Sequence, residues 1–275
     1  MSATAVGTQS TLAALDGLRS ANRDSAKASE RLATGLRVNR AADDPAGIGR
    51  AATLKAEIGS FEVVKKSLNK NLSELSTVSD GLNSITDYLV EMRTIALAAA
   101  SESSATVRAT YDDALQELKM GISEIVGDVK FNGVAVLGTG GAQTIQTGIA
   151  ATDTKIVTIA SVSATALSIN ATSANTVAAA GLAITSLDSA INTVANELAK
   201  VGGIQKSLEF SIDFADSNIL AKSSQFGDIM NADMAQEATN LAAARIRQDS
   251  ATAVLAQANS MNRNIADFLL KGALG

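Results

Sequence analysis

The stretch from Leu54 to Ile95, LKAEIGSFEVVKKSLNKNLSELSTVSDGLNSITDYLVEMRTI, carries the clearest structural signal in the chain. Its large apolar residues recur at steps of three and four, with a mean step of about 3.4 residues, close to the 3.5-residue repeat of a coiled coil. A stripe with this period lies on one face of a helix and needs partner helices to cover it. The stretch therefore predicts a long amphipathic helix in a left-handed supercoiled bundle.

The start of this helix is well marked. Asp43 and Asp44 are suitable N-cap residues, and Pro45 fits the first turn, where its missing N–H costs nothing. We expect the helix to run from about Pro45 to Ala100, a length of about 80 Å. Such a helix predicts an elongated molecule.

Two further tracts can complete the bundle. A helix from about Ala105 to Val129 should end at the turn Phe131-Asn132-Gly133 and lie antiparallel to the first. Helical spacing returns from Ile184 to Ile219, interrupted only by Gly202-Gly203. Between these tracts, short alternating runs predict a small β-region or hairpin; they are Gln143–Gln146, Lys155–Ala160 and Ala166–Asn170.

Both ends of the chain carry weaker helical tracts. The first, Leu12–Leu32, has Asn and Ser in the middle of its stripe and should end at Gly35. The last, Ala232–Leu270, is rich in Ala and has Leu241 and Leu255 on one face. Because neither stripe buries much apolar surface alone, we expect the two helices to pair with each other or with neighbouring molecules and to become ordered on assembly. The alternative is two frayed ends.

The composition excludes several kinds of chemistry. The 275 residues include no Cys, no His and no Trp, so no thiolate site, zinc–histidine site or Ser–His–Asp triad can form. An enzyme is therefore the least favoured class, and we expect no cofactor and no metal. The net charge is -5, and the acidic and basic residues are interspersed along the chain. No cluster of basic residues suited to nucleic acid occurs, and we expect no nucleic-acid partner.

Two segments bear on membranes and export. The uncharged stretch Ile156–Leu187 is long enough to span a bilayer, but its many Ser, Thr and Asn residues favour a soluble segment, and we expect no membrane partner. The start, Met1–Ser20, lacks the regions of a secretory signal peptide, so export would need another route.

Three blocks of sequence resemble the bacterial flagellins. The first is Glu30–Asn39, ERLATGLRVN, followed by Ala42–Gly47, ADDPAG. The second is Phe131–Val134 with Val136-Leu137, and then Thr144–Gly148, which is similar to the helix-to-hairpin junction of that family. The third is Ala232–Leu241, ADMAQEATNL, with Val254–Asn259, VLAQAN. The blocks occur in the family's order, at both ends and in the middle of the chain.

The resemblance implies a subunit of the flagellar filament, outside the bacterial cell. It implies a helical homopolymer of this chain, with partners in the export chaperone, the type III export apparatus, and the filament cap and hook-junction proteins. It also implies a division of the chain into five segments: 1–43 and 230–275 as terminal helices of the inner tube, 44–137 and 182–229 as the two halves of the helical core, and 138–181 as a short β or variable region.

The resemblance also implies two sets of site residues. The polymerisation interface would comprise Leu32, Leu36, Arg37, Asn39, Asp43, Arg93, Leu241, Leu255 and Ile265. A patch recognised by the innate immune Toll-like receptor for flagellin would lie on an exposed helix face, Leu89–Leu97, and on the next helix. It would be degenerate here, and would comprise Leu89, Glu91, Arg93, Ile95 and Ala114. Because Glu91 stands where a basic contact is expected and Ala114 where an acidic one is, recognition should be weak. The tail beyond Leu269-Leu270 also departs from the family's usual ending.

Two other functions stay open. A hook–filament junction protein would share the terminal helices, and abundance would distinguish it, because a filament protein is present in thousands of copies. A signalling coiled coil, such as a chemoreceptor cytoplasmic region, would also show long Ala-rich heptads but should lack the Phe131-Asn132-Gly133 junction.

Overall fold

The computed structural model describes the backbone of residues 2–273 and the side chains of residues 11–264. The described backbone is mainly helical with one small antiparallel sheet, as predicted. Its elements are α1 (Ser2–Thr34), α2 (Pro45–Ser101), α3 (Ala105–Asp128), α4 (Val136–Thr139), β1 (Gly141–Gln146), β2 (Thr154–Ile159), α5 (Val177–Met230) and α6 (Met234–Ala273). The chain forms two compact units, one from Glu57 to Ala221 and the other from the segments before and after it.

The long stripe of α2 forms the centre of the Glu57–Ala221 unit. Its large side chains are fully buried at Leu68, Leu75, Leu82, Ile85, Leu89 and Met92. They share one core with Leu115 and Ile122 of α3 and with Leu187, Val194, Val201 and Leu208 of α5. Two half-exposed ion pairs show that α2 and α5 run antiparallel: Lys65 to Asp216 and Arg93 to Asp188, each at 2.6 Å. The predicted bundle is confirmed.

Helix α5 differs from the prediction. It begins at Val177 and runs to Met230 without a break at Gly202-Gly203. A helical glycine costs about 1 kcal/mol relative to alanine, but the burial of Val194, Val201 and Leu208 on both sides of the pair outweighs this cost. Of the residues that the structure describes, α5 alone contains a stretch long and apolar enough to cross a membrane, which by itself is weak evidence for a membrane span.

The sheet contains two of the three predicted strands. β1 and β2 pair antiparallel, from Gly141 opposite Ile159 to Gln146 opposite Thr154. The prediction of a strand at Ala166–Asn170 was wrong, because this segment folds into turns. Leu167, Ser168 and Ile169 donate their N–H groups to carbonyls only three to five residues earlier, and Ser168 has a φ of 58°. Buried Leu167 and Ile169 gave the alternation that imitates a strand.

The predicted turn at Phe131-Asn132-Gly133 is confirmed. Phe131 and Val134 exchange both backbone hydrogen bonds across it. Asn132 and Gly133 have φ values of 52° and 80°, a left-handed conformation that Asn and Gly adopt most readily. Phe131 is fully buried, so its side chain anchors the turn in the core, shortly before the sheet begins at Gly141.

The other unit contains the two terminal helices, packed against each other. The sequence left open whether these helices pair with each other or with neighbouring molecules. Within one chain, they pair with each other. In the described part of α1 the fully buried apolar residues are Ala21 and Ala28, and in α6 it is Ala244. Small residues allow the helices to approach closely but bury little apolar area.

Candidate assembly surface

A backbone junction ties the loop after α1 to the loop after α5. Gly35 ends α1 with a φ of 71°, and its N–H bonds to the carbonyl of Arg31 at 2.8 Å. The N–H of Arg37 then bonds to the carbonyl of Met230 at 2.7 Å, and the N–H of Ala232 bonds to the carbonyl of Gly35 at 2.9 Å. The two ends of the chain are thus joined by a short piece of β-like pairing.

Side chains reinforce this junction. The guanidinium of Arg37 donates to the carbonyl of Ile229 at 2.7 Å.

The two aspartates before α2 have separate roles. Asp44 accepts the N–H of Gly47 at 2.8 Å and so caps α2, as predicted. Asp43 has a different role, because it accepts the N–H groups of Asn39 and Arg40, at 3.3 and 3.1 Å. The Arg40 bond, with a side-chain bond from Lys27, holds the pKa of Asp43 below its ordinary value.

A buried carboxylate links α1 to α6. Glu237 is 7% exposed, and its two oxygens accept from Arg31 at 2.8 Å and from Asn240 at 3.2 Å. Burial by itself raises the pKa of Glu237, but the hydrogen bonds from Asn240 and Arg31 outweigh it, and the pKa is lowered. Further along the pair, Arg247 of α6 bonds to Asp24 of α1 at 3.0 Å. Polar contacts thus fix the register of two helices that bury little apolar surface.

Helix α6 has a second, outward apolar surface. Ile246, Val254 and Met261 are 66%, 53% and 55% exposed, and their steps of eight and seven residues place them on one side of the helix. We call these three residues the outer face of α6. Because these exposed side chains line one side of α6, the outer face is a candidate interaction site.

The structure places the predicted polymerisation residues differently. Leu241 and Leu255 are half-buried on the side of α6 that carries buried Ala244, opposite the outer face. Leu32, Leu36 and Asn39 are half-buried at the junction, whereas Arg37 and Asp43 are exposed there. Arg93 lies in the other unit and is paired with Asp188. The side chain of Ile265 lies outside the described residues.

Sequence reasoning missed the outer face and Glu237. The apolar residues of α6 recur on two sides of the helix, and the predicted face was the stripe with Leu241 and Leu255. The exposed stripe was detectable as a second set spaced at eight and seven residues. Nothing in the sequence alone indicated which stripe faces α1.

The predicted receptor patch is also altered. Leu89 is fully buried in the core, so the expectation that it lies on an exposed face was wrong. Leu89 belongs to the apolar stripe from which the α2 helix was predicted, and this stripe faces the core. Glu91 is exposed, and Ile95 and Ala114 are half-buried. The guanidinium of Arg93, held by Asp188, is only partly available.

The elements described above define a class: a mainly helical protein whose two terminal helices pair and leave large apolar side chains of α6 exposed. The chain matches the bacterial flagellin N-terminal helical region over residues 7–139 and the bacterial flagellin C-terminal helical region over residues 184–269. The chain therefore belongs to the bacterial flagellin family, and its function is that of a structural subunit of the flagellar filament.

Individual relatives agree. The chain is 29% identical to flagellin FljM of Caulobacter vibrioides over 92% of this chain and 94% of the relative. It is 28% identical to the flagellin of Bacillus subtilis, over 93% and 96%. The crystal structure of Bacillus cereus flagellin aligns with a TM-score of 0.50 at 28% identity, covering 54% of this chain and 88% of that one.

A second solved structure supports the fold alone. It is a putative flagellar hook-associated protein from Vibrio parahaemolyticus, with a TM-score of 0.57 at 17% identity. It covers 69% of this chain and 100% of its own.

Proposed function

We propose that copies of this chain polymerise through the outer face of α6, with the junction around Arg37 and Met230 holding both chain ends in place for assembly. The supporting observation is the exposure of Ile246, Val254 and Met261 on a helix whose other side is occupied by α1. Burying three such side chains against neighbouring copies would contribute several kcal/mol per subunit, at about 25 cal/mol per Å².

The segments would have separate positions in the filament. Residues 1–43 and 230–275 line the inner tube, and residues 44–137 and 182–229 form the core around it. Residues 138–181 form a short variable region that adds little or no outer domain. The small size of the β1–β2 sheet supports this assignment.

Membership of the family supports the remaining partners. The chain would travel through the type III export apparatus with an export chaperone, and would be added to the extracellular filament beneath the cap and beyond the hook-junction proteins. Recognition by the flagellin-sensing Toll-like receptor would be weak, because exposed Glu91 opposes a basic contact.

A hook–filament junction protein is the alternative. Its support is the likeness in fold to the hook-associated protein, at 17% identity. The flagellins match at higher identity and over more of the chain. Quantifying the protein in filaments sheared from cells distinguishes the two, because a junction protein would be a trace component.

The test of the assembly surface is seeded polymerisation observed by electron microscopy. Met261→Asp should form no filaments, because its carboxylate would be buried unpaired between copies. Met120→Asp is a matched control, since Met120 is also 55% exposed on a helix, in the other unit. It should polymerise normally. Normal filaments from Met261→Asp and Ile246→Asp would contradict the proposal.

A further inference from the structure

The turn between Phe131 and Val134 contains two residues that can react with each other. Asn132-Gly133 is the only Asn–Gly pair in the chain, and both residues are exposed. The amide carbon of an Asn side chain, Cγ, is open to attack by the backbone nitrogen of the next residue, and Gly has no side chain to obstruct this approach. The pair is therefore a candidate site for a modification that the chain performs on itself.

The only co-reactant of this modification is water. The nitrogen of Gly133 forms a bond to Cγ of Asn132 and loses its proton, and the side-chain nitrogen of Asn132 leaves as ammonia. The product is a five-membered succinimide ring. Water then opens the ring at one of its two carbonyl carbons. Opening at the side-chain carbonyl gives Asp, and opening at the main-chain carbonyl gives isoaspartate, in which the backbone runs through the side chain.

The conformation of Asn132 prevents this attack while the turn is closed. The nitrogen of Gly133 has to lie on the same side as Cβ of Asn132, as viewed along the Cα–C bond. Asn132 has a φ of 52°, and residues in this left-handed region have a ψ of about +30 to +60°. At such a ψ the nitrogen lies nearly opposite Cβ. It is therefore out of bonding reach of Cγ.

Three hydrogen bonds and a buried ring keep the turn closed. Phe131 and Val134 exchange backbone hydrogen bonds at 2.9 and 3.0 Å, and Phe131 is fully buried. The N–H of Asn132 donates to Oε2 of Glu74 on α2 at 3.1 Å. Because attack requires a large rotation about ψ of Asn132, the hydrogen bonds across the turn have to break first. The rate in the folded chain is then the rate in the unfolded chain multiplied by the fraction of time that the turn is open.

We propose that Asn132 is a modification site gated by the fold: its side-chain amide reacts with the nitrogen of Gly133 while the chain is unfolded, and closure of the turn stops the reaction. Isoaspartate adds one atom to the backbone between Phe131 and Val134. The two hydrogen bonds between these residues then lose their spacing, so a chain that has formed isoaspartate does not regain the turn. The site records how long a chain has stayed unfolded.

The test compares the unaltered chain in mildly alkaline buffer with the same chain unfolded in urea. Mass spectrometry of the peptide that contains Asn132 measures the reaction, and chromatography separates the Asp and isoaspartate products. Asn83, which is exposed and precedes Ser84, is the internal reference. In urea, Asn132 should react faster than Asn83, and in the folded chain its reaction should be at least about tenfold slower than in urea. Equal rates at Asn132 with and without urea, or no excess over Asn83 in urea, would overturn the proposal.

A variant of α2 tests the gate in the folded chain. Glu74→Ala removes the acceptor of the Asn132 N–H and should speed the reaction at Asn132 about threefold, since one hydrogen bond fewer opposes opening. Glu62→Ala is the matched control, an exposed carboxylate on the same helix. Circular dichroism checks that both variants are folded. Equal rates in the two variants would contradict gating by this turn.

Refolding tests the consequence of the modification. When urea is removed from partly reacted chains, the isoaspartate peptide should be concentrated in the chains that fail to refold. An even distribution between refolded and misfolded chains would contradict the proposed loss of the turn.

Discussion

Gly81 shows how closely α2 approaches its neighbours. A Cβ at this position would lie 2.7 Å from Cγ2 of Val129 and 3.3 Å from Cδ1 of Leu137. Gly81→Ala should therefore destabilise the fold by about 1–3 kcal/mol, because the core has to shift to admit one methyl group. Thermal unfolding followed by circular dichroism measures the change. Gly59→Ala is the control on the same helix, where a Cβ meets open space, and it should stabilise by up to about 1 kcal/mol. Equal melting temperatures for the two variants would contradict this packing.

Glu237 makes the pairing of α1 with α6 sensitive to pH. Its folded-state pKa is lowered from the ordinary value of 4.5, so its contribution to stability is present above pH 4.5 and is lost as the pH falls through the folded-state pKa. Glu237→Gln should be less stable than the unaltered chain at pH 7, and the difference should shrink at pH 3. Melting curves over this range test it. Glu117→Gln, an exposed position on α3, should show no such convergence.

Glu91 provides a residue-scale test of immune recognition. This exposed carboxylate stands where the family resemblance calls for a basic contact, and Ala114 stands where it calls for an acidic one. The double variant Glu91→Arg and Ala114→Glu should raise the response of the flagellin-sensing Toll-like receptor several-fold in reporter cells. A response from the unaltered chain equal to that of a strongly stimulatory flagellin would refute the expectation of weak recognition.

At the scale of elements, the continuity of α5 is the least expected feature. Gly202 and Gly203 lie inside the helix, and a Cβ at either position would meet nothing within 4 Å. Replacing both with Ala should therefore stabilise the chain, by up to about 1 kcal/mol per site, as the unfolded chain loses freedom. Chemical unfolding measures this. Destabilisation would mean that the helix breaks at the pair, as the sequence suggested.

The buried face of a helix was predictable where the helix has one strong apolar stripe, and not where it has two weak ones. The start of α2 follows from Asp44 and Pro45, and its core face follows from the period of the Leu68–Met92 residues. By contrast, Leu167 and Ile169 alternate like a strand yet are buried by consecutive turns. The face of α6 could not be chosen because apolar residues occur on both its sides. Only the position of α1 determines that Leu241 is half-buried and Ile246 is exposed.

At the scale of the whole molecule, the recognised sequence blocks have a structural role before any assembly. Glu30 accepts from Asn39 and Arg40, at 3.1 and 2.9 Å, and Glu237 accepts from Arg31. The Arg31–Glu237 bond connects the two ends of a single chain, and the bonds of Glu30 join α1 to the loop that follows it. The family resemblance alone implied that Asn39 contacts other copies, and the sequence could not separate that role from a contact within one chain, because both require a polar residue near the helix end.

The central claim is that assembly completes the burial of the terminal helices. In one chain, α1 and α6 bury mainly alanines and are held by a few polar contacts, so they should open easily. Hydrogen–deuterium exchange on α1 and α6, compared between unassembled chains and filaments, tests this most directly. The account predicts fast exchange in unassembled chains and protection raised by at least about a hundredfold in filaments, while α2 is protected in both. Full protection of α1 and α6 before assembly, or no gain within filaments, would contradict it.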